Sequence, residues 1–227
     1  MTLHSQLALD FDHRPALTGE DFLVAPPNAE AVAWLDRWPG WPGPALVVHG
    51  PPGCGKTHLA MVFMSLSGGR LVAPDQLRTD DPPDIFGDAP ALVLDDAQSF
   101  LGREEALLHL YNTALETGRH MMLTSDSPPS RWTVRLADLG SRLNSASSVG
   151  IGEPDDALIS AVLVKLFADR QLKVEEDVIG YMLTRMERSF EAARRLVEAV
   201  DAKALAERRN ITVKLVSSVM QGDDGNP

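Results

Sequence analysis

One short segment of the chain has the residue types and spacing needed to hold a polyphosphate. It runs Gly50-Pro51-Pro52-Gly53-Cys54-Gly55-Lys56-Thr57 and fits the P-loop pattern G-x-x-x-x-G-K-[ST] in full. Glycines let backbone N–H groups turn inward around phosphate oxygens. The lysine supplies a point charge for the β- and γ-phosphates, and the threonine supplies a hydroxyl for Mg²⁺. The segment therefore predicts a site for ATP or ADP with Mg²⁺; a chance glycine-rich turn is the alternative.

Two adjacent carboxylates follow a second apolar run further along the chain. Asp95 and Asp96 come directly after Ala91–Leu94. The first can hold the hydration shell of Mg²⁺, since this ion keeps several waters, and the second can polarise an attacking water. An acidic strand end exposed to solvent is the common alternative for such a pair. Downstream of a P-loop, the pair favours a Walker B arrangement in which Thr57 and Asp95 serve the metal and Asp96 is catalytic.

The elements that position these residues alternate between strand and helix up to about residue 152. An apolar strand candidate, Ala45–His49, precedes the P-loop, and a helix over 56–65 is predicted to follow it, as the motif requires. Further strands are predicted over 70–73, 91–94 and 120–124. Further helices are predicted over 28–38 and 104–116, the second ending at Gly118 as a C-cap, while the Pro- and Asp-rich segment 74–90 is predicted to be irregular. Such alternation is typical of a parallel sheet with crossover helices.

Beyond residue 152 the pattern predicts helices only, over 155–170, 175–187 and 189–208. Ser189 is a candidate N-cap for the last of these. Apolar residues keep a heptad-like spacing along that helix: Phe190, Ala193, Val197, Val200 and Ala204. We therefore expect a flexible arm (1–17), an α/β nucleotide-binding domain (18–152), a small helical domain (153–220) and a disordered tail (221–227).

Composition limits the classes of function. The net charge of −11 lacks the basic field of a protein that binds DNA through its own surface, so we expect no strong direct DNA binding and a protein partner instead. Trp34, Trp38 and Trp41 favour packing a helix on the core over stacking on nucleic acid, although the sequence leaves both open. A single cysteine, no long apolar run and no secretory signal suit a protein of the cytoplasm with no membrane association.

Several further motifs resemble the AAA+ domain of the DnaA/Hda family. Phe22–Ala31 is similar to the opening of that domain, and Gly55–Leu59 to the end of its P-loop. Leu123–Pro129 is similar to its sensor 1 strand and turn, and Leu139–Leu143 to its box VII arginine-finger helix. The resemblance covers roughly residues 20–220. It implies an AAA+ P-loop NTPase fold with a parallel five-stranded sheet and a small C-terminal helical lid.

The resemblance also implies roles for single residues. Asp126 is similar to the sensor 1 polar residue near the γ-phosphate; its alternative is a turn residue, because Asp-Ser-Pro-Pro is good turn chemistry. Arg142 is similar to the arginine finger, which stabilises charge on a γ-phosphate held by a neighbouring subunit; its alternative is a surface ion pair. Residues expected to contact the nucleotide by this resemblance, besides the P-loop itself, are Phe22, Leu23, Val24, His58, Arg188 and Arg194.

One position departs from the family pattern. The sensor 2 arginine is expected early in the last long lid helix, where this chain has Glu191. A carboxylate next to a phosphate is repulsive, so Arg188 or Arg194, one turn away, is the candidate substitute. This departure predicts weak or regulatory ATP hydrolysis by the chain itself and a nucleotide, such as ADP, that mainly fixes its shape.

The amino-terminal arm carries a second resemblance. Gln6-Leu7-Ala8-Leu9-Asp10-Phe11 is similar to the hexapeptide that docks on the sliding clamp, the β subunit of DNA polymerase III. Its expected contacts are Gln6, Leu7, Leu9 and Phe11; a strand or apolar cluster packed on the chain's own core is the alternative. The sequence also ends soon after the lid helices, so we expect no DNA-reading domain of the DnaA kind. Both features indicate the Hda branch of the family.

Membership of this branch implies a negative regulator of replication initiation. Such a protein binds the clamp and promotes hydrolysis of the ATP bound to the DnaA initiator, through Arg142. Two other functions stay open: a helicase loader of the DnaC type, and an adaptor that binds nucleotide without turnover and links a client to the clamp. Assembly into a homodimer or a higher homo-oligomer is a further expectation that the residues leave open.

Overall fold

The computed structural model describes residues 13–14, 22–79 and 81–223. The chain divides into two compact units, of which one comprises His13–Gly152 and the other begins at Glu153. Within the described residues, the helices are too short or too polar to cross a membrane. Residues 1–12, including the predicted clamp peptide, lie outside the described part of the chain.

The first unit is built on a five-stranded parallel sheet. Two short strands, β1 (His13–Arg14) and β2 (Phe22–Leu23), form a separate antiparallel pair. The main strands are β3 (Ala45–His49), β4 (Arg70–Leu71), β5 (Ala91–Leu94), β6 (His120–Ser125) and β7 (Ser147–Gly150). Their spatial order is β4-β5-β6-β3-β7, with every neighbouring pair parallel. The predicted five-stranded parallel sheet is confirmed.

Helices cover both faces of this sheet. They are α1 (Ala29–Asp36), α2 (Lys56–Ser67), α3 (Gln76–Thr79), α4 (Pro82–Phe86), α5 (Glu104–Thr117) and α6 (Ala137–Ser145), with 3₁₀ segments at Ala97–Arg103 and Pro129–Arg131. The central strands are apolar throughout because both faces are buried. Alternate residues point to opposite faces, so Val47 packs with α5 and α6 while Leu46 and Val48 pack with α1 and α2.

The segment over 74–90 contains two short helices, so the prediction of irregular structure there was wrong in part. Pro82 and Pro83 stand in the first turn of α4, where a proline costs no hydrogen bond and its fixed φ suits a helix. Ile85 and Phe86 then anchor the turn in the core. The proline pair stands at the start of a helix here. The Pro- and Asp-rich composition of the segment, which is typical of turns, does not by itself predict that helix.

The tryptophans near α1 belong to the core. Trp41 is buried and stacks on Phe63, and its indole N–H donates to the carbonyl of Trp34 at 2.8 Å. Trp34 and Trp38 are partly buried in the same cluster. The interpretation that these rings pack a helix on the core is confirmed.

The second unit consists, in its described part, of four helices around a separate core. They are α7 (Asp156–Asp169), α8 (Glu176–Leu183), α9 (Phe190–Glu207) and α10 (Val213–Asp223). The Ser189 hydroxyl accepts from the Ala192 N–H at 3.1 Å, so the predicted N-cap of α9 is confirmed. The sequence patterns did not predict α10, whose Leu215 and Val216 are buried against this core.

Candidate nucleotide site

The P-loop connects β3 to α2 and depends on its glycines. Gly53 and Gly55 have φ values of +74° and +99°, which lie in a left-handed region that residues with a Cβ rarely adopt. Gly55 is also the N-cap residue of α2, so the loop delivers the positive end of that helix to the carboxyl edge of the sheet. The positive φ angles of its glycines therefore give the loop the tight turn that the P-loop motif requires.

Gly50 is required for a different reason, which is the close approach of its neighbours. A Cβ built on Gly50 would lie 2.4 Å from the carbonyl oxygen of Ile151 and 2.9 Å from Cys54 Sγ. Both neighbours are buried, so neither can move away freely.

Gly50→Ala is expected to destabilise the first unit by about 1–3 kcal/mol, the usual cost of forcing extra volume into a packed site. Chemical denaturation of the full chain measures this. The matched control is Gly43→Ala, because a Cβ at Gly43 would meet no atom within 4 Å. Equal denaturation midpoints for the two variants would contradict the steric argument.

Lys56 lies at the centre of the loop's polar contacts. Its ammonium group donates to the carbonyl of Gly50 at 2.7 Å, to the carbonyl of Pro51 at 3.0 Å and to Asp126 Oδ1 at 2.9 Å. An ammonium has three N–H donors, and all three are used. The structure thus places the predicted sensor residue Asp126 directly against the P-loop lysine, with the carboxylate side chain 62% exposed and the lysine side chain 12% exposed.

A side-chain hydrogen bond also joins Thr57 to Asp95. The Thr57 hydroxyl donates to Asp95 Oδ2 at 2.9 Å, while the Thr124 hydroxyl donates to the other oxygen, Oδ1. Thr124 Oγ1 also accepts from the Asp96 N–H at 2.9 Å. One hydroxyl and one carboxylate oxygen so close together are the hard oxygen ligands that Mg²⁺ takes, with water completing its shell. The residues present therefore fit the predicted metal.

Sequence reasoning missed Thr124. It is buried, and its hydroxyl holds Asp95 and the backbone of Asp96 together. The available signal was a hydroxyl directly after the apolar run Met121–Leu123, in the strand that pairs with the P-loop strand. Because buried hydroxyls require hydrogen-bond partners, such a residue at a strand end points to polar groups nearby.

Asp96 turns the chain away from the sheet edge. It has φ +58° and ψ +71°, a left-handed conformation that Asp tolerates better than most residues. Its carbonyl accepts from the N–H and the hydroxyl of Ser99, at 3.0 and 2.7 Å, which starts the following 3₁₀ segment. The side chain of Asp96 is exposed at this edge. Its predicted action on a water molecule stays a prediction.

Two cations lie near His49 at the end of β3. Burial lowers the pKa of His49, and the nearby cations Arg131 and Lys56 lower this pKa further. The imidazole is therefore mostly neutral at pH 7. The thiol of Cys54 is buried, and burial raises its pKa, which agrees with a small side chain directed into the core and not with redox chemistry.

The segment that resembles the domain opening lies beside this strand end. The Asn28 side chain accepts from the Ala25 N–H at 2.9 Å and donates to the Leu23 carbonyl at 3.0 Å, which fixes the turn. The Gly152 N–H donates to the carbonyl of Pro27 at 2.9 Å. Leu23 is buried and Val24 partly so, while the Phe22 side chain lies outside the described residues. His58 follows in the first turn of α2.

Arg142 lies on α6 and contacts its own unit. Its Nε is 3.3 Å from Asp138 Oδ1, and its guanidinium carbon is 5.8 Å from the ring centroid of Tyr111. The Nε atom is buried without a hydrogen-bond partner in the described structure, and 31% of the side chain is exposed. The ion pair that was the alternative for Arg142 is thus present, and the side chain is partly exposed.

The other predicted contacts lie in the second unit or outside the described residues. Arg188 donates to both oxygens of Asp156, at 2.6 and 3.2 Å, and this bond lowers the pKa of that carboxyl. Arg194 lies on α9, where Glu191 pairs with Arg195 at 3.6 Å. Both arginines remain predictions as nucleotide contacts. The predicted clamp contacts, Gln6, Leu7, Leu9 and Phe11, lie outside the described residues.

Comparison with known proteins shows which proteins this chain resembles. A family model described as Hda, lid domain, matches residues 156–220. The chain is 28% identical over 236 aligned positions to the chromosomal replication initiator protein DnaA of Thermomicrobium roseum, covering 92% of this chain and 50% of that protein. It is 24% identical over 194 positions to an uncharacterized protein of Haemophilus influenzae, covering 78% of this chain and 81% of that one. The chain therefore spans about half the length of the DnaA relatives that it matches.

Solved structures show the same fold. Domain III of the Thermotoga maritima replication initiation protein DnaA superposes with a TM-score of 0.75 at 17% identity, over 88% of this chain and 94% of that one. AMPPCP-bound DnaA from Aquifex aeolicus superposes with a TM-score of 0.68 at 20% identity, over 82% of this chain and 65% of that one. These likenesses show that the chain has the AAA+ fold of DnaA domain III, and its sequence is similar to the Hda lid domain over residues 156–220 and to DnaA over most of its length.

Proposed function

We propose that this protein is a nucleotide-binding negative regulator of chromosomal replication initiation, which promotes hydrolysis of the ATP bound to DnaA while docked on the sliding clamp. The observation that carries the proposal is the match of residues 156–220 to the Hda lid domain, on a chain whose P-loop contacts both Asp95 and Asp126. The experiment that tests it is DnaA–ATP hydrolysis with DNA-loaded clamp, in the presence and absence of this protein.

The chain's own nucleotide is proposed to occupy the P-loop. Backbone N–H groups of the loop surround the phosphates, and Lys56 exchanges its contacts with the Gly50 and Pro51 carbonyls for phosphate oxygens. Thr57 and Asp95 hold Mg²⁺, which neutralises phosphate charge when bound. Asp126 stays close enough to Lys56 to orient it. AMPPCP-bound DnaA of the same fold supports nucleotide binding.

Hydrolysis of this nucleotide by the chain itself is proposed to be slow. Glu191 stands where the family pattern has an arginine, and it pairs with Arg195 one turn further along α9. That pair reduces the repulsion of the carboxylate toward a phosphate but does not supply the missing cation. Arg188 and Arg194 are the proposed substitutes. The bound nucleotide, ATP or ADP, then stabilises one conformation of this chain and does not drive a cycle of ATP hydrolysis.

The activity toward DnaA is assigned to Arg142. An arginine that enters a partner's nucleotide site stabilises the charge that develops on the γ-phosphate, and the remaining parts of that site belong to the partner. Box VII similarity and partial exposure of the side chain support this role. To act, the guanidinium must exchange its ion pair with Asp138 for the γ-phosphate held by the partner.

Clamp docking is assigned to Gln6–Phe11. Double substitution Gln6→Ala with Leu9→Ala is expected to abolish recovery of this protein with immobilised clamp. A buried Leu contributes roughly 1.5–3 kcal/mol, and a six-residue arm has few other contacts to replace it. The matched control is His4→Ala with Ser5→Ala, just outside the hexapeptide. Undiminished recovery of the Gln6/Leu9 variant would show that the arm does not dock on the clamp.

A second candidate is an adaptor that binds nucleotide without turnover and links a client to the clamp. The Glu191–Arg195 pair and the contacts of Arg142 within its own unit favour it. The two functions differ in one result, since an adaptor leaves the rate of DnaA–ATP hydrolysis unchanged on loaded clamp.

A further inference from the structure

The helix that carries Arg142 lacks a cap of its own. Its N-cap residue is Leu136, whose side chain has no oxygen to accept from the first backbone N–H groups of α6. The backbone at the N-cap and just before it is held instead by a side chain of another helix. Glu104, the first residue of α5, accepts from the Arg135 N–H at 2.9 and 3.0 Å and from the Leu136 N–H at 2.6 Å.

The same face of α5 also contacts the other end of α6. Tyr111 lies two turns along α5 from Glu104, and residues at that spacing share one face of a helix. Its ring is buried and lies 5.8 Å below the Arg142 guanidinium. In addition, Leu139 and Leu143 of α6 are buried in the same core as Leu107 of α5. One face of α5 therefore fixes α6 at its start, along its length and at Arg142 itself.

We propose that Glu104 and Tyr111 are positioning residues that set where the Arg142 guanidinium is presented to the partner. Glu104 fixes the start of α6 through two backbone N–H groups, and Tyr111 supports the guanidinium from below. Neither touches a nucleotide; each acts through Arg142. The inference rests on the proposed function for its effect on DnaA–ATP, but the positions themselves can be measured on this chain alone.

The backbone N–H of Arg135 lowers the pKa of Glu104, which agrees with a carboxylate held in its charged form. A charged acceptor makes shorter and stronger hydrogen bonds than a neutral one. Glu104→Gln keeps a side-chain oxygen but loses the charge, whereas Glu104→Ala loses the acceptor altogether. Glu105→Ala is the matched control, because Glu105 is the adjacent exposed carboxylate of the same helix turn.

The first experiment measures this chain by itself. Hydrogen exchange at the Arg135 and Leu136 amides is expected to accelerate about 10-fold or more in Glu104→Ala, less in Glu104→Gln, and not in Glu105→Ala, since loss of a bonded acceptor lets the amides open locally. The NMR signal of the Arg142 Nε–H group is expected to shift in Tyr111→Leu, which removes the ring, and to return toward its wild-type position in Tyr111→Phe, which restores it. Unchanged exchange and an unchanged Arg142 signal would overturn the proposal.

The second experiment measures stimulated DnaA–ATP hydrolysis on loaded clamp. A displacement of about 1 Å at a catalytic group can cost about 100-fold, so Glu104→Ala and Tyr111→Leu are each expected to lower the maximal rate between about 10- and 100-fold. The concentration giving half-maximal stimulation and the chain's own ADP affinity should stay within about twofold, because a general loss of structure would change both. Full maximal rates in both variants would overturn the proposal.

The two experiments separate this inference from the function on which it rests. If the wild-type protein gives no stimulation, the proposed function fails, while the exchange and NMR results still decide whether Glu104 and Tyr111 position Arg142. If wild-type stimulates and Arg142→Ala does not, but the Glu104 and Tyr111 variants match wild-type, the function stands and the positioning proposal is wrong.

Discussion

Arg142→Ala is expected to lower the stimulated rate of DnaA–ATP hydrolysis by about 10³-fold or more, down to the rate that DnaA has alone. Arginines that act in trans on a γ-phosphate contribute about 10³–10⁵ to the rate, because their charge appears where negative charge accumulates. The measurement is single-turnover hydrolysis of labelled ATP prebound to DnaA, with DNA-loaded clamp and a saturating amount of the variant. Clamp recovery and ADP affinity of the variant should match those of the wild type.

Two further variants sharpen this test. Arg142→Lys keeps the charge but loses the planar fork of donors, so it should restore only a small part of the rate. Arg37→Ala is the matched control, since Arg37 is an exposed arginine of the same unit and has no place in any proposed site. Wild-type stimulation by Arg142→Ala would rule out the finger role and leave the adaptor as the better function.

Lys56→Ala is expected to weaken binding of ATP and ADP by roughly 10²–10⁴-fold. A charge-assisted hydrogen bond contributes about 1.5–3 kcal/mol, and the ammonium can make one to each of two phosphates, which gives about 3–6 kcal/mol. Titration calorimetry with ADP and Mg²⁺ measures the affinity. The matched control is Lys173→Ala, an exposed lysine of the second unit.

Stability should change much less than affinity in this variant. The Lys56–Asp126 pair is screened by water on its exposed side, so its loss costs little in folding free energy. The variant should therefore unfold close to the wild-type midpoint without nucleotide, and ADP should raise that midpoint only in the wild type. Equal stabilisation of both proteins by ADP would show that the nucleotide does not use this lysine.

The strands with the clearest signals were predicted to within a residue. Ala45–His49 and Ala91–Leu94 are apolar on both faces, which is the pattern that burial between two helix layers produces. The edge strand Ser147–Gly150 has a single strongly apolar residue, Val149, and its pairing with β3 depends on neighbours far away in sequence. Helix α10 escaped prediction for a similar reason, because its buried Leu215 and Val216 precede a polar end that resembles a tail.

The sequence predicted which residues belong to the candidate site, but not the hydrogen bonds between them. The P-loop motif named Lys56 and Thr57, and parallel strands that end at one edge imply that Asp95 and Asp126 lie nearby. The local pattern could not predict that the ammonium group bonds to two loop carbonyls, since this depends on the exact curl of the backbone. Thr124, Glu104 and Tyr111 act through side chains brought close by folding, so their partners do not appear in any short motif.

The parallel direction of the five strands divides the first unit into two ends with different consequences for change. The carboxyl ends carry the P-loop, Asp95 and Asp126, while the amino end of β6 holds His120 between the rings of Trp38 and Trp41. Substitution in that aromatic cluster is therefore expected to change the thermal stability of the first unit while leaving the hydrogen bonds of Lys56 and Thr57 at the opposite edge in place.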